Sequence, residues 1–453
     1  GYDMDYTLIH YNVEEWERHV FEHVQAMLAE RGWPVGGLAF EQSFIRGLII
    51  DTELGNIVKA NRFGYVKRGC HGSKPIPFEV LRQIYSRTIV DLTESRWRFM
   101  NTFFSLSEAC LYAQLVDLLD QRAIPNVLGY EELYRTVQDC LGYAHVEGRL
   151  KAEVVANPER FVELDEEAPL ALLDQKHAGK KLLLITNSGW AYTKPMMEYA
   201  FDRFLPGTMT WRDLFDVILV SARKPLFFTS RNNALFRVVS EDGLLRPVVS
   251  GIEDGGIYLG GSVDAVERYL GVAGDNILYV GDHIFGDVHV SKKVQRWRTA
   301  LVIRELEDEI AHLDAFAARQ ASLTKLMAEK EQLEEEYCAL KLKLQRLRGK
   351  YGPQPGDDEA VLSSVQDSLR ARITALDESI RPLAKGASEL ASARWGLLMR
   401  AGNDKSHMAR QIERHADIYT SRISNFLAHT PFKYLRSARG SLPHDPGSSP
   451  ASK

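Results

Sequence analysis

Cysteine is scarce. Cys70, Cys110, Cys140 and Cys338 are the only four in 453 residues, far apart and without a C-x-x-C pair. That excludes a zinc ribbon, a thioredoxin-type redox pair and a disulfide scaffold, and it fits a reducing, cytoplasmic setting. An excess of one charge is also lacking. Lys+Arg 56 against Asp+Glu 61 gives −5, without the basic footprint of a nucleic-acid binder. No apolar run reaches the roughly 18 residues of a membrane span, so no membrane partner is expected. The opening GYDMDYTLIHY carries acids where a signal peptide carries a basic flank and an apolar stretch. What is present is globular material, 45% hydrophobic and 26% charged, enough for a sizeable core.

The texture changes along the chain. Residues 1–10 read as a strand end running into a loop. Only Gly1 and Tyr2 precede Asp3, so the natural chain is expected to begin earlier. Residues 11–180 are mixed and mostly helical, with stretches at Glu14–Arg31, Pro77–Leu92 and Leu106–Gln121. Asp51–Val66 reads instead as a hairpin turning at Gly55 and Gly64. Short apolar runs follow at Leu182–Ile185, Val217–Val220, Ile277–Val280 and Thr299–Ile303, the pattern of a parallel sheet covered on both faces. A hairpin is expected near Gly255–Gly261. Beyond residue 304, Leu326, Leu333, Tyr337, Leu340, Leu344, Leu347 and Tyr351 form a heptad seam with Lys330 as its polar member. A Gly/Pro turn at 352–356 and a second periodic stretch, Leu362 to Leu383, complete an antiparallel helical hairpin. The polar tail 441–453 is expected to be disordered.

Four strand ends carry chemistry. Asp3 and Asp5, two apart, can serve one loop past a strand's C-terminal end, where ligands of open α/β sheets bind. One carboxylate can attack phosphorus, and the other can protonate a leaving oxygen and then activate water. Thr186, Asn187 and Ser188 suit phosphate oxygens. Lys224 can neutralise phosphate and nucleophile together. Asp282 and Asp287, with Gly281 and Gly286 each just before one of them permitting a tight turn, suit Mg²⁺, which prefers hard oxygen ligands; His283 is read as a hydrogen-bonded loop residue. Each motif alone has a plainer reading: a solvated turn, a helix N-cap, a surface lysine before proline. Together, in order, they supply a nucleophile, an acid/base, a cationic clamp and a metal site, as phosphoryl transfer requires.

In that order the chain resembles the haloacid dehalogenase-like phosphohydrolases. In its wording (DMDYTL, TNSGWAYT, ARKPLFF and YVGDHIFGD) it resembles the cytosolic purine 5′-nucleotidases of IMP/GMP type. Arg46-Gly47-Leu48, DTELGN and the run from Phe99 to Phe104 extend the likeness through residue 303, and it returns at Trp395-Gly396 and Arg414–Tyr434. The resemblance implies an α/β fold whose core is a Rossmann-like parallel sheet of haloacid dehalogenase type, formed by 1–10 and 176–303. It implies a mostly helical cap at 11–175, a coiled-coil-like hairpin at 304–394 and a helical segment at 395–440 returning to the core. Asp3 would be the nucleophile and Asp5 the acid/base. Asp3, the Asp5 carbonyl and Asp282 would hold Mg²⁺, with Asp287 buttressing. Thr186, Asn187, Ser188 and Lys224 would bind phosphate; Phe104 would stack on a purine, with His145 and Lys151 at the nucleotide. Asn101, Phe285 and Lys292 lie where relatives bind an activating nucleotide. Relatives are tetramers, so a homo-oligomer, dimer or tetramer, is expected.

The sequence departs from this pattern at two places. Where the family has an Arg and an Asp that read the base, seven and three residues before the histidine, stand Gln138 and Gly142. The expected reaction is Mg²⁺-dependent hydrolysis of a nucleoside 5′-monophosphate through an aspartyl-phosphate, with phosphotransfer to nucleosides as a second activity. Two alternatives stay open: the same chemistry on another phosphorylated metabolite, or a coiled-coil scaffold with a vestigial site. The joint presence of Asp3, Asp5, Thr186, Lys224 and Asp282 argues against the scaffold.

Overall fold

Runs of apolar residues too short for helices pack here as a buried sheet. The computed structural model describes residues 1–435 apart from 147, 231–232 and 273 and the side chains of His145, Val146 and Arg149. The tail 441–453 lies outside the described residues. Contacts divide the chain into two units, residues 1–306 with those from 403 onward, and residues 307–402. Among the described residues no helix is long and apolar enough to cross a membrane.

The first unit is α/β. Its inserted part carries a five-stranded antiparallel sheet of β1 (Ile49–Asp51), β2 (Asn56–Ala60), β3 (Val66–His71), β4 (Lys74–Pro75) and β5 (Trp97–Phe99), in the order β4-β3-β2-β1-β5. Gly55 and Gly64 both sit at positive φ in its turns, so the expected hairpin is the middle of a larger sheet. Helices Val13–Glu30, Leu106–Asp120 and Tyr130–Val146 accompany it. The helix expected over Pro77–Leu92 is shorter, Phe78–Ile84. The chain then turns away, and the Val90 N–H bonds the Gly64 carbonyl at 2.9 Å instead of a helical partner.

The core sheet holds β6 (Leu183–Ile185), β7 (Val217–Val220), β8 (Leu235–Val238), β9 (Leu245–Pro247), β10 (Gly256–Gly260), β11 (Leu278–Gly281), β12 (Arg298–Val302) and β13 (Ile418–Thr420). One part is mixed, β9-β8-β10-β7-β6; the other, β11-β12-β13, is all parallel. Tyr2 bridges in parallel to both Leu184 and Val280, so the first residues lie between β6 and β11 and join the two parts. The hairpin expected at Gly255–Gly261 is a correction: it is the single strand β10, parallel to β7. Its glycines end the strand rather than turn it. Gly260 has φ +82, and a Cβ there would lie 2.4 Å from the Ala234 carbonyl oxygen.

The second unit carries most of a long helix pair, Leu306–Gly349 and Glu359–Ser388. The pair runs antiparallel: Arg348 meets Glu359 at 2.6 Å near the turn, and Lys330 meets Asp377 at 2.5 Å farther along. Phe316, Leu333, Leu344, Leu362, Leu369 and Ile380 are among its buried apolar positions, and Lys330, the polar member of the seam, is the partner of an acid from the facing helix.

Candidate active site

Every strand end named from the sequence converges on one place. Residues 1–3, β6, β7 and β11 are neighbours, so the residues after them share one edge of the sheet. Lys224 is the hub. Its Nζ lies 2.8 Å from Asp3 Oδ1 and 2.7 Å from Asp287 Oδ1, and it donates to the Tyr279 hydroxyl at 2.9 Å. The Tyr279 hydroxyl in turn donates to the Ile185 carbonyl. Asn187 fixes the lysine loop: its Oδ1 accepts from the Lys224 N–H at 2.6 Å and its Nδ2 donates to the Lys224 carbonyl at 3.1 Å. A single amide side chain thereby satisfies both backbone groups of one residue.

Asp3, Asp282 and Asp287 each bring a carboxylate oxygen within 4.8 Å of the others. Asp287 also accepts from the His283 N–H at 3.1 Å, and it lies directly over Gly281, where a Cβ would fall 2.5 Å from Asp287 Oδ2. Burial pushes Asp3 up to about 7, against the pull of Lys224. Burial, then Asp287 and Asp3, push Asp282 well above the usual carboxylate range. Burial works against the Lys224 charge, but Asp287 and Asp3 hold its pKa well above the ordinary lysine value. Three carboxylates against one ammonium is an acidic imbalance that a divalent cation corrects. Asp282 Oδ2 is buried with no hydrogen-bond partner, and an all-oxygen donor set matches a hard ion. The residues therefore fit a divalent metal. The Asp5 carboxylate is not in this cluster.

Asp5 is held separately. Tyr11 donates to its Oδ1 at 2.6 Å and Ser188 to its Oδ2 at 2.6 Å. Lys151 Nζ donates to Ser188 Oγ at 2.8 Å, and the Ser188 N–H bonds Thr186 Oγ1 at 3.0 Å. Ser188, expected at phosphate, is thus on the acid, and Thr186, expected at phosphate, and Lys151, expected at the nucleotide, reach it through Ser188.

A cavity of 340 Å³ is lined by Phe104, Asn101, Gln138, Gly142, Glu108 and His283, among others. His283 follows Asp282 in sequence, which puts the cavity beside the carboxylates. Phe104 packs edge-on to Tyr6 and Trp16, at 4.9 and 5.7 Å. Glu108 is buried. Burial raises it to about 7, while hydrogen bonds from Tyr134 and Gln138 pull the other way. Asn101 Oδ1 is buried without a partner. Phe285 and Lys292 are not in this cavity. Phe285 stands against Phe99, His289 and His415, and Lys292 pairs with Asp417 at 2.8 Å. The side chain of His145 lies outside what the structure describes.

The sequence matches the 5′ nucleotidase family over residues 1–447. The chain belongs to that family. A 5′-nucleotidase domain-containing protein of Dictyostelium discoideum is 27% identical over 456 aligned residues, 98% of this chain and 72% of that protein. With family membership and the aspartate cluster together, the site is that of a nucleotidase-type hydrolase.

Sequence reasoning missed several residues in it. Tyr279 sits on β11 just before Gly281-Asp282 and was read only as sheet. Arg46, buried, donates to the Asp282 carbonyl at 3.3 Å and to Glu305 at 2.8 Å; its motif was noted but given no role. Tyr11, Tyr192 and Glu108 gave no signal, since a tyrosine or glutamate in an amphipathic stretch looks like any other.

Proposed function

We propose that this chain hydrolyses nucleoside 5′-monophosphates, purine ones foremost, in a Mg²⁺-dependent reaction through an aspartyl-phosphate on Asp3. The observation that carries the reading is Lys224, whose ammonium touches Asp3 and Asp287 at once beside Asp282. A lysine shared by a nucleophile and an acidic cluster is what a dianionic phosphate needs in order to approach a carboxylate. The strand order, with residues 1–3 between β6 and β11, supports the Rossmann-like arrangement of haloacid dehalogenase type. Segment 11–175 would be the cap and 395–440 the return to the core.

Asp3, the Asp5 carbonyl and Asp282 would hold Mg²⁺, with Asp287 in support, and the ion would screen phosphate charge during transfer. Lys224 and the hydroxyls of Thr186 and Ser188 orient the phosphate oxygens. Asp3 attacks phosphorus as Asp5 gives its proton to the departing O5′. Asp5 then takes a proton from the water that attacks the aspartyl-phosphate, which frees phosphate and regenerates Asp3. A nucleoside hydroxyl in place of water gives phosphotransfer. Phe104, His145 and Lys151 would hold the nucleotide; Asn101, Phe285 and Lys292 would serve an effector nucleotide; assembly as a homo-oligomer rests on the family resemblance alone. Gln138 and Gly142 in the cavity wall favour a second reading, the same chemistry on another phosphorylated metabolite.

The test is phosphate release from a panel of nucleoside monophosphates and sugar phosphates, with Mg²⁺ or EDTA, on wild type and Asp3→Asn. Purine monophosphate turnover, lost with EDTA and at least about 10³-fold lower in the variant, is expected. Turnover restricted to non-nucleotides would discard the substrate and keep the mechanism, and silence across the panel would sink both.

A further inference from the structure

The Asp5 carboxylate belongs to a closed ring of five side chains. Tyr11 donates to Oδ1 and Ser188 to Oδ2, both at 2.6 Å. Lys151 Nζ donates to Ser188 at 2.8 Å and lies 4.7 Å from the centre of the Tyr192 ring. The Tyr192 hydroxyl closes the ring, 3.0 Å from that of Tyr11. Tyr11, Tyr192 and Ser188 are buried, whereas Asp5 is half-buried. Tyr11 is itself fixed by the rings of Tyr6 and Trp16, at 5.2 and 4.7 Å. Both hydroxyls that grip the carboxyl are thus shielded from water, while the carboxyl keeps a solvent-facing side.

We propose that Tyr11, backed by Tyr192, is the positioning residue that holds Asp5 ready to give and to take a proton. The inference rests on the reading of Asp5 as acid/base. A phenol hydroxyl suits a group that alternates between two states, because it can donate to both. When Asp5 is ionised, Tyr11 donates to it and accepts from Tyr192. When Asp5 carries the proton that it gives to O5′, Tyr11 goes on donating to the other carboxyl oxygen, so that proton stays free for the leaving group; either tyrosine oxygen can be the donor of the pair with Tyr192. In the first step the bond from Asp3 Oδ to phosphorus forms, the P–O5′ bond breaks, and the Asp5 proton passes to O5′. In the second, water oxygen bonds phosphorus, the bond to Asp3 breaks, and Asp5 takes the water proton. The tyrosine pair follows both changes without leaving the carboxyl.

The test exploits the leaving group. A 5′-deoxy-5′-thio nucleoside monophosphate, with sulfur in the bridging position, departs as a thiolate and needs no proton. Its kcat/KM is compared with that of the oxygen nucleotide, a parameter that reports the step forming the phosphoenzyme. Asp5→Asn is the control. Tyr11→Phe keeps the ring in its aromatic packing and removes only the hydroxyl. Its kcat/KM on the oxygen nucleotide is expected to fall at least about tenfold, with less than about a threefold fall on the sulfur analogue. Tyr192→Phe should show the same discrimination at smaller amplitude, and it decides the matter if Tyr11→Phe does not fold. Equal losses on both substrates in the tyrosine variants, or no loss, overturn the proposal if Asp5→Asn still discriminates. If Asp5→Asn also loses both equally, the acid/base reading of Asp5 falls, and the inference falls with it.

Discussion

The two ends of the candidate site are built on opposite principles. At the sheet edge Asp3, Asp282, Asp287 and Lys224 are buried together, with Lys224 paired to Asp3 and Asp287, and further contacts fix Lys224 by Tyr279, the lysine loop by Asn187 and Asp287 by the His283 N–H. At the cavity aromatic and apolar walls carry a mixed polar set, among them Arg98, Asn101, Glu108, Tyr134, Gln138 and His283. The first end is over-determined around Lys224: removing that lysine leaves Asp3 and Asp287 buried without their cation. The second has slack, and Gly142 presents no side chain at all. On the proposed reading the sheet edge meets the phosphate and the cavity the rest of the substrate, so rigidity and slack fall where each is useful.

Lys224→Met tests the over-determined end most severely. It strands Asp3 and Asp287 in the interior, and breaking a buried pair from one side costs about 3–5 kcal/mol. Turnover should vanish, and the melting temperature should drop clearly in the absence of added cation. A variant that stays as stable as wild type would mean the carboxylates are not charged there, and the electrostatic account would fail. Gly281→Ala should do comparable harm by geometry alone, since its Cβ would meet Asp287 Oδ2 at 2.5 Å.

This contrast also explains what could be read from the sequence. Lys224 and Asp282 were legible because each follows a run of strand residues, and strand ends of a parallel sheet must meet at one edge, whereas Asp3, with only Gly1 and Tyr2 before it, was legible through its pairing with Asp5. Strands β6, β7, β11 and β12 fell within one residue of the runs that announced them. β10 was misread because glycine marks both turns and strand ends, and only the close approach of Ala234 tells them apart. Asn187 is expected at phosphate on residue type; that its amide also holds the Lys224 backbone is something no spacing reveals. Glu108 and Tyr11 were invisible for a different reason: their roles depend on partners 30 and 181 residues away, Gln138 and Tyr192.

Metal binding separates the two ends without any turnover. Mg²⁺ at a hundred times its dissociation constant should stabilise the fold by about 2.7 kcal/mol, because it relieves repulsion among Asp3, Asp282 and Asp287. Asp282→Asn should raise the melting temperature in EDTA and abolish the Mg²⁺ response, as read by calorimetry. The same scan on Glu108→Gln should keep the full Mg²⁺ shift. Loss of the shift there would join the two ends that the structure keeps apart.

Glu108→Gln should act on choice rather than on rate. The carboxyl accepts from Tyr134 and Gln138, and an amide reverses part of that pattern. The ratio of kcat/KM between two nucleotides differing only in the base should move by about tenfold, roughly 1.4 kcal/mol, with little change for a substrate that has no base. An unchanged ratio would take the base out of the Glu108 cavity.

The smallest effect belongs to Gly142, and it measures the slack directly. A Cβ built there meets nothing within 4 Å, and the residue lies in the interior of the helix Tyr130–Val146. Gly142→Ala removes backbone freedom from the unfolded chain and should stabilise the protein by about 0.5–1 kcal/mol, with kcat unchanged within twofold or so. Denaturant unfolding of the variant beside Gly281→Ala then gives opposite signs for the same added methyl group. If Gly142→Ala instead impaired turnover, the helix backbone itself would be packing against substrate, and the cavity would be as closely specified as the sheet edge.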